Sequence, residues 1–220
     1  MRRPAFFFAL LALLAAAAIF IGIDLNGPRH TDIRAFDPDR VAQLDTEMWR
    51  SYYDKKPDVL FVQLAQLLRE QFHFPVLRSY LTASRAARAA FVFKNGRTRE
   101  DYERALPDLT AYYAAIRRVS TTPFDERRAA RLELEWWIVH RQRAGHGAGD
   151  LERALAAAAA ELYQVPPESL SVYGRERTLA MNLRDLKAAR GGVTESDWKV
   201  IDGLLRHSWR SLHEAVQPAR

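Results

Sequence analysis

The chain is expected to be all-α, and three observations lead there. Apolar side chains recur at helical spacing from residue 37 onward, no stretch alternates with period two over the length of a strand, and capping residues with Pro or Gly punctuate the periodic segments. The expected architecture is about seven helices, packed as an antiparallel bundle or an irregular helical array behind one N-terminal transmembrane helix. With 220 residues, 48% hydrophobic and 27% charged, the composition is that of one globular domain and not of a disordered chain. The expected division is an anchor or signal peptide over 1–23, a linker over 24–36, a single helical domain over 37–216 and a disordered tail over 217–220.

Met1-Arg2-Arg3 precedes Ala5 to Ile23, nineteen residues without a charge. At ~1.5 Å rise per residue such a helix just spans a hydrocarbon core of ~30 Å. A cleaved signal peptide is the rival reading, since Arg2 and Arg3 form a positive start and Ala15 to Ala18 offers small residues for cleavage. Ile19, Phe20, Ile21 and Ile23 prolong the apolar run past that point and favour an uncleaved anchor. Either way the basic N-terminus stays in the cytoplasm and the domain lies on the periplasmic or extracellular side. Arg29 and Arg34 follow closely and weaken the charge bias. Asp24 to Phe36, with Asn26-Gly27-Pro28, reads as a linker that holds the domain off the bilayer.

Asp37 and Pro38 cap a first helix reaching about Tyr53, with Val41, Leu44, Met48 and Tyr52 as its stripe and Asp45 on the stripe's edge. Pro57 opens a second, with Leu60, Leu64, Leu67, Leu68 and Phe72 inward. Glu70 and His73 in it have the Glu-x-x-His spacing of carboxylate metal sites. Both point away from the leucines and no second copy follows, so a metal is not expected there. Pro75 begins a third helix to about Lys94, closed by Asn95-Gly96 as a left-handed cap. Leu77, Tyr80, Leu81, Ser84, Phe91 and Val92 form its expected inner face, with Arg88 in the middle. Thr98 and Asp101 cap a fourth, whose stripe Tyr102, Leu106, Leu109, Tyr113 and Ile116 runs through Pro107 as a kinked helix.

Thr122-Pro123 leads into FDERRAARLELEWWIVHRQR, Phe124 to Arg143, which sets charges inside an otherwise apolar cylinder. Ala129, Leu132, Trp136 and Val139 share one side, and Leu134, Trp137 and Ile138 extend it. Glu133 and His140, seven residues apart, point the same way to within roughly 20°. Asp150 starts an alanine-rich helix with Leu151, Leu155, Ala158 and Leu162 inward. Pro166-Pro167 breaks the chain, Leu179, Leu183 and Leu186 define another helix, and Thr194 with Asp197 caps the last, whose inner stripe is Trp198, Ile201, Leu205, Trp209 and Leu212.

The candidate site residues are therefore few. Glu133, His140 and Asp45 are the candidates for acid-base chemistry or oxygen and nitrogen ligation. Arg88 is expected to need a carboxylate partner, Glu133 or Asp45, if it lies inside, and to snorkel outward otherwise. Arg175, near the leucine line, is a candidate for an anionic site or a plain surface arginine. Zero cysteines exclude disulfides and thiolate metal sites. No metal and no cofactor is expected, because no phosphate loop, dinucleotide fingerprint, His-Glu-x-x-His or nucleophile elbow occurs.

Setting aside Arg2 and Arg3, the 33 basic residues fall to 31 against 27 acidic, a mild excess of interleaved charges that reads as solvated helix faces and not as a nucleic-acid surface. The preferred functional expectation is a non-catalytic interaction or assembly module of a bacterial envelope, tethered to the lipid bilayer through residues 5–23, with a protein partner or a second copy of itself and no nucleic acid. The alternative is a helical-bundle enzyme or ligand-binding protein with a buried Glu, His and Arg site.

Overall fold

Free amides at a helix start need acceptors, and the chain supplies them where its capping residues fall. A computed structural model describes residues 3–217. Its helices are α1 (Arg3–Asn26), α2 (Pro38–Tyr53), α3 (Pro57–Phe72), α4 (Val76–Asn95), α5 (Arg99–Glu103), α6 (Leu106–Val119), α7 (Glu126–Arg141), α8 (Asp150–Tyr163), α9 (Ser171–Ala189) and α10 (Glu195–Val216). Asp37 accepts from the amides of Asp39 and Arg40 to start α2, and Thr98 with Asp101 and Thr194 with Asp197 form reciprocal capping boxes on α5 and α10. The cap of α7 is Asp125, two residues beyond the expected Thr122-Pro123 start. Among the described residues there is no strand, only an isolated parallel bridge between Thr31 and Ser120. The all-α expectation is borne out, with α2 to α10 making nine helices among the described residues. Of the expected tail, only Gln217 lies within the described residues.

Each helix packs on its neighbour in sequence, α2 on α3, α3 on α4, α6 on α7, α7 on α8, α8 on α9 and α9 on α10. Contacts of α4 with α6 and of α10 with α2 close these eight helices into a circuit. The short α5 is tucked against α4 and α7. Inside the circuit Leu44, Leu68, Leu109, Ile116, Leu134, Tyr163, Ile201, Leu205 and Leu212 are fully buried. One crossing is unusually close. Gly174 in α9 lies against α8 so tightly that a Cβ there would sit 2.3 Å from the Glu152 carbonyl oxygen. Ala156, Ala158, Ala159 and Ala160 of α8 are buried as well.

Several expectations are corrected. Pro107 does not sit in one kinked helix: Arg104 and Ala105 turn between α5 and α6, and Pro107 lies in the first turn of α6, where its missing amide costs nothing. Gly96 is extended, φ −71°, and not left-handed. Its small size is what matters, because a Cβ there would meet Tyr102 at 2.8 Å. On α4 the inner face is the small-residue line Ser79, Thr82, Ala83 and Ala89, while Leu81 and Phe91 are 56% and 69% exposed. On α9 the inner face is Tyr173, Gly174, Arg177, Thr178 and Met181, and Leu179 and Leu186 are exposed. In both helices small side chains that allow close packing outrank larger apolar ones, which a hydrophobic periodicity weighs the other way.

The stretch 24–36 is not a free tether. Asp24 to Asn26 complete the last turn of α1, and Ile33 and Phe36 are buried in the core. Thr31 exchanges backbone hydrogen bonds with Val119 and Thr121, and the Arg34 guanidinium donates to the Tyr163 carbonyl at 2.7 Å. Asp24 and Arg78 cap each other's helices. The Asp24 carboxylate accepts from the Leu77 and Arg78 amides at the start of α4, at 3.2 and 3.0 Å. In return the Arg78 guanidinium donates to the Asp24 and Gly27 carbonyls at the end of α1, at 2.6–2.9 Å. Free amides and free carbonyls at two helix ends are thus satisfied in one contact.

Candidate functional site

The interior polar cluster around Asp45 and Glu133 draws on α2, α6, α7, α9 and α10. Asp45 is carried inward by α2 beside the buried Leu44, and Arg177 by α9 four residues after Tyr173. Arg177 donates to Asp45 Oδ2 at 2.5 Å, and Trp209 Nε1 donates to the same oxygen at 2.8 Å. Both members of the pair are buried. The guanidinium carbon lies 5.8 Å from the ring centre of Trp49 and 5.5 Å from those of Tyr173 and Trp209. A cation taken out of water is stabilised here by one carboxylate and three aromatic faces. Burial pulls the Arg177 guanidinium down, but Asp45 more than offsets it and holds the group above its ordinary value, with Tyr173 adding to the effect.

Glu133, half-buried on α7, turns its carboxylate toward α6. Tyr113 Oη donates to Oε2 and Trp137 Nε1 to Oε1, each at 2.9 Å. Burial raises Glu133 above its ordinary value, and its hydrogen-bond donors pull it only part of the way back. The same burial lifts Tyr112 and Tyr113, with Glu133 as the next contributor. Tyr173 is lifted as well, by burial, with Arg177 opposing. Glu133 acts on Arg177 through space, so the two polar groups share one interior field without touching.

The other expected members lie apart. His140 Nε2 is 2.8 Å from an Arg143 guanidinium nitrogen and 3.6 Å from Asp185 Oδ2, at the seam of α7 and α9 and not beside Glu133. Arg88 is exposed and donates twice to Asp108 at 2.9–3.0 Å, which corrects its placement on the inner face of α4; neither Glu133 nor Asp45 is its partner. Arg175 is exposed beside Glu176 at 3.4 Å and does not enter the interior. Glu70 reaches toward Arg40 at 3.9 Å, while His73 leaves α3 in a left-handed conformation and contacts the Ala35 carbonyl at 2.8 Å, so their helical spacing is broken. Among the described residues no three His, Asp or Glu side chains gather at one point.

The sequence reading brought forward Asp45 and Glu133 but missed Arg177, Tyr113, Tyr173 and Trp209. The missed signal was spacing on α9: Tyr173, Arg177 and Ala180 at i, i+4 and i+7 mark the buried line, displaced from the leucines. Comparisons of the chain with protein-family models, with curated protein sequences and with solved structures returned no match.

Proposed function

We propose that the chain is a membrane-tethered, non-catalytic helical module that presents its ring of helices to a protein partner, or to a second copy of itself, at the surface of a bilayer. The observation that carries this reading is α1. Its side chains from Phe7 to Ile23 face outward with Phe8, Leu13 and Ile19 more than half exposed, and the body offers them no cover. Apolar surface of that extent is what a lipid bilayer would cover, which supports the tether. The two basic residues before it support an N-terminus in the cytoplasm and a body across the membrane. A structural role for the interior is supported by its bonding, since Asp45 and both oxygens of Glu133 already have donors.

The test is alkaline carbonate extraction of the full chain together with alkaline phosphatase fused at the C-terminus. Retention in the pellet with an active fusion is expected. Release of the intact chain into the supernatant would overturn the tether, and an inactive fusion would overturn the sidedness.

One observation favours a second reading, a ligand-binding or enzymatic interior. Glu133 is a carboxylate raised by burial and bonded to a tyrosine, the kind of environment that suits a general acid. A Glu133→Gln chain that folds and stays in the membrane yet loses its cellular role would favour that reading over the module.

A further inference from the structure

The chain leaves α1 between arginines. A groove of about 260 Å³ at the end of the helix is lined by Leu25 to His30, Arg78 and Arg118, with no carboxylate on its walls. His30 and Arg118 also border a larger groove of about 360 Å³, lined in addition by Ala114, Arg117, Ser120 and Glu126. Arg29 and Arg118 are exposed and make no ion pair among the described residues. Arg78 is committed to the carbonyls of α1, and its guanidinium is held below its ordinary value by burial and then by Arg118 and Arg29, with Asp24 opposing. Three guanidinium groups therefore face a common space without enough negative charge to balance them.

The position of that space matters as much as its charge. Asp24 and Gly27 are bonded to Arg78, so the groove begins where the apolar run of α1 ends. If α1 spans a bilayer, that is the depth at which lipid phosphates lie. Basic side chains just beyond a span on the far side also run against the usual charge asymmetry. They are better accounted for by an anion they hold.

We propose that this groove binds the phosphate of an anionic membrane lipid, with Arg29 and Arg118 as the direct contacts and Arg78 as the buried positive charge behind them. The inference rests on the reading of α1 as a membrane helix and names the partner at its exit. Guanidinium groups suit a phosphodiester because each offers paired N–H donors to two oxygens. The apolar wall from Leu25 and Pro28 is continuous with the helix along which the acyl chains would run.

The test is native mass spectrometry of the full-length chain in neutral detergent, titrated with phosphatidylglycerol or with phosphatidylcholine. Preferential retention of phosphatidylglycerol is expected. Arg29→Ala with Arg118→Ala should weaken it roughly thirtyfold, the equivalent of ~2 kcal/mol at ~1 kcal/mol per basic side chain. Arg29→Lys with Arg118→Lys keeps the charge but loses the paired donors and should recover only part of the binding, and an unchanged melting temperature shows that the fold is intact. Equal retention of the two lipids, or retention untouched by the double alanine change, would overturn the inference. Displacement of the lipid by millimolar inorganic phosphate would also overturn it, reassigning the groove to a soluble anion. Carbonate extraction of the same double variant separates this failure from that of the tether, since loss of lipid preference in a chain still held by the membrane sinks the groove alone.

Discussion

Arg177 and Asp45 form a buried ion pair joining α9 to α2, residues 132 positions apart in the chain, with Trp209 of α10 bonded to the same carboxylate oxygen. Removing one partner leaves the other charged and dry. Arg177→Ala or Asp45→Ala is expected to cost roughly 3–5 kcal/mol in urea unfolding of the chain, whereas a joint change to Met and Leu should cost far less or be neutral. A double-mutant cycle reads the coupling directly. A loss below about 1 kcal/mol for either single change would show that the pair is solvated.

Arg88→Ala is expected to behave in the opposite way. An exposed arginine bonded to Asp108 contributes on the order of 0–1 kcal/mol, so the melting temperature should hardly move. A loss comparable to that at Arg177 would mean that α4 turns a different face inward.

Glu133 links stability to pH. Its folded pKa is raised, so the folded state binds the proton more tightly than the unfolded chain. The stability this gives is fully present below the unfolded carboxylate pKa of ~4.3 and is lost as pH rises through the raised folded value. Glu133→Gln, whose amide can still meet Tyr113 and Trp137, should therefore gain on the native chain as pH rises across that window. Unfolding curves at several pH values check the slope, and parallel stabilities for the two chains would refute it.

Two glycines give a paired test of packing. Gly174→Ala places a methyl against the Glu152 backbone and should cost about 1–3 kcal/mol as α8 and α9 are pushed apart. Gly203→Ala, in the middle of α10 with nothing within 4 Å of the added carbon, should stabilise by about 0.5–1 kcal/mol through helix propensity. Thermal unfolding of the two variants should move in opposite directions.

Asp24→Ala removes an acceptor from two amides of α4 and should cost about 1 kcal/mol, with Asp24→Asn recovering most of it. Limited proteolysis between α1 and α2 should rise in the alanine variant, because only the Arg78 bonds to the carbonyls of residues 24 and 27 then hold that end.

What the sequence made legible were the features set by local chemistry. Asp37, Thr98 and Thr194 announce their helices because an N-cap is a short-range device, and the stripe of α10 reads correctly because Trp198, Ile201, Leu205, Trp209 and Leu212 are all large. The register of α4 and α9 was hidden for the opposite reason. Their buried faces are built from Ser79, Ala83, Gly174 and Ala180, whose value lies in how near a neighbour can come, and a hydrophobic pattern gives that no weight. Asp45 and Glu133 stood out as charges near apolar stripes, yet the Asp45 partners Arg177 and Trp209 lie 132 and 164 positions away, and the Glu133 partner Tyr113 comes from the adjacent helix α6. Closure of the circuit brings Asp45 to its partners.

The reciprocal clamp of Asp24 and Arg78 removes the hinge that a spacer between stem and ring would have provided. A membrane span adapts to a bilayer of the wrong thickness chiefly by leaning. On the proposed reading of α1 as such a span, the ring leans with it, and the thickness of the lipid sheet would set which flank of the protein looks outward to a neighbour.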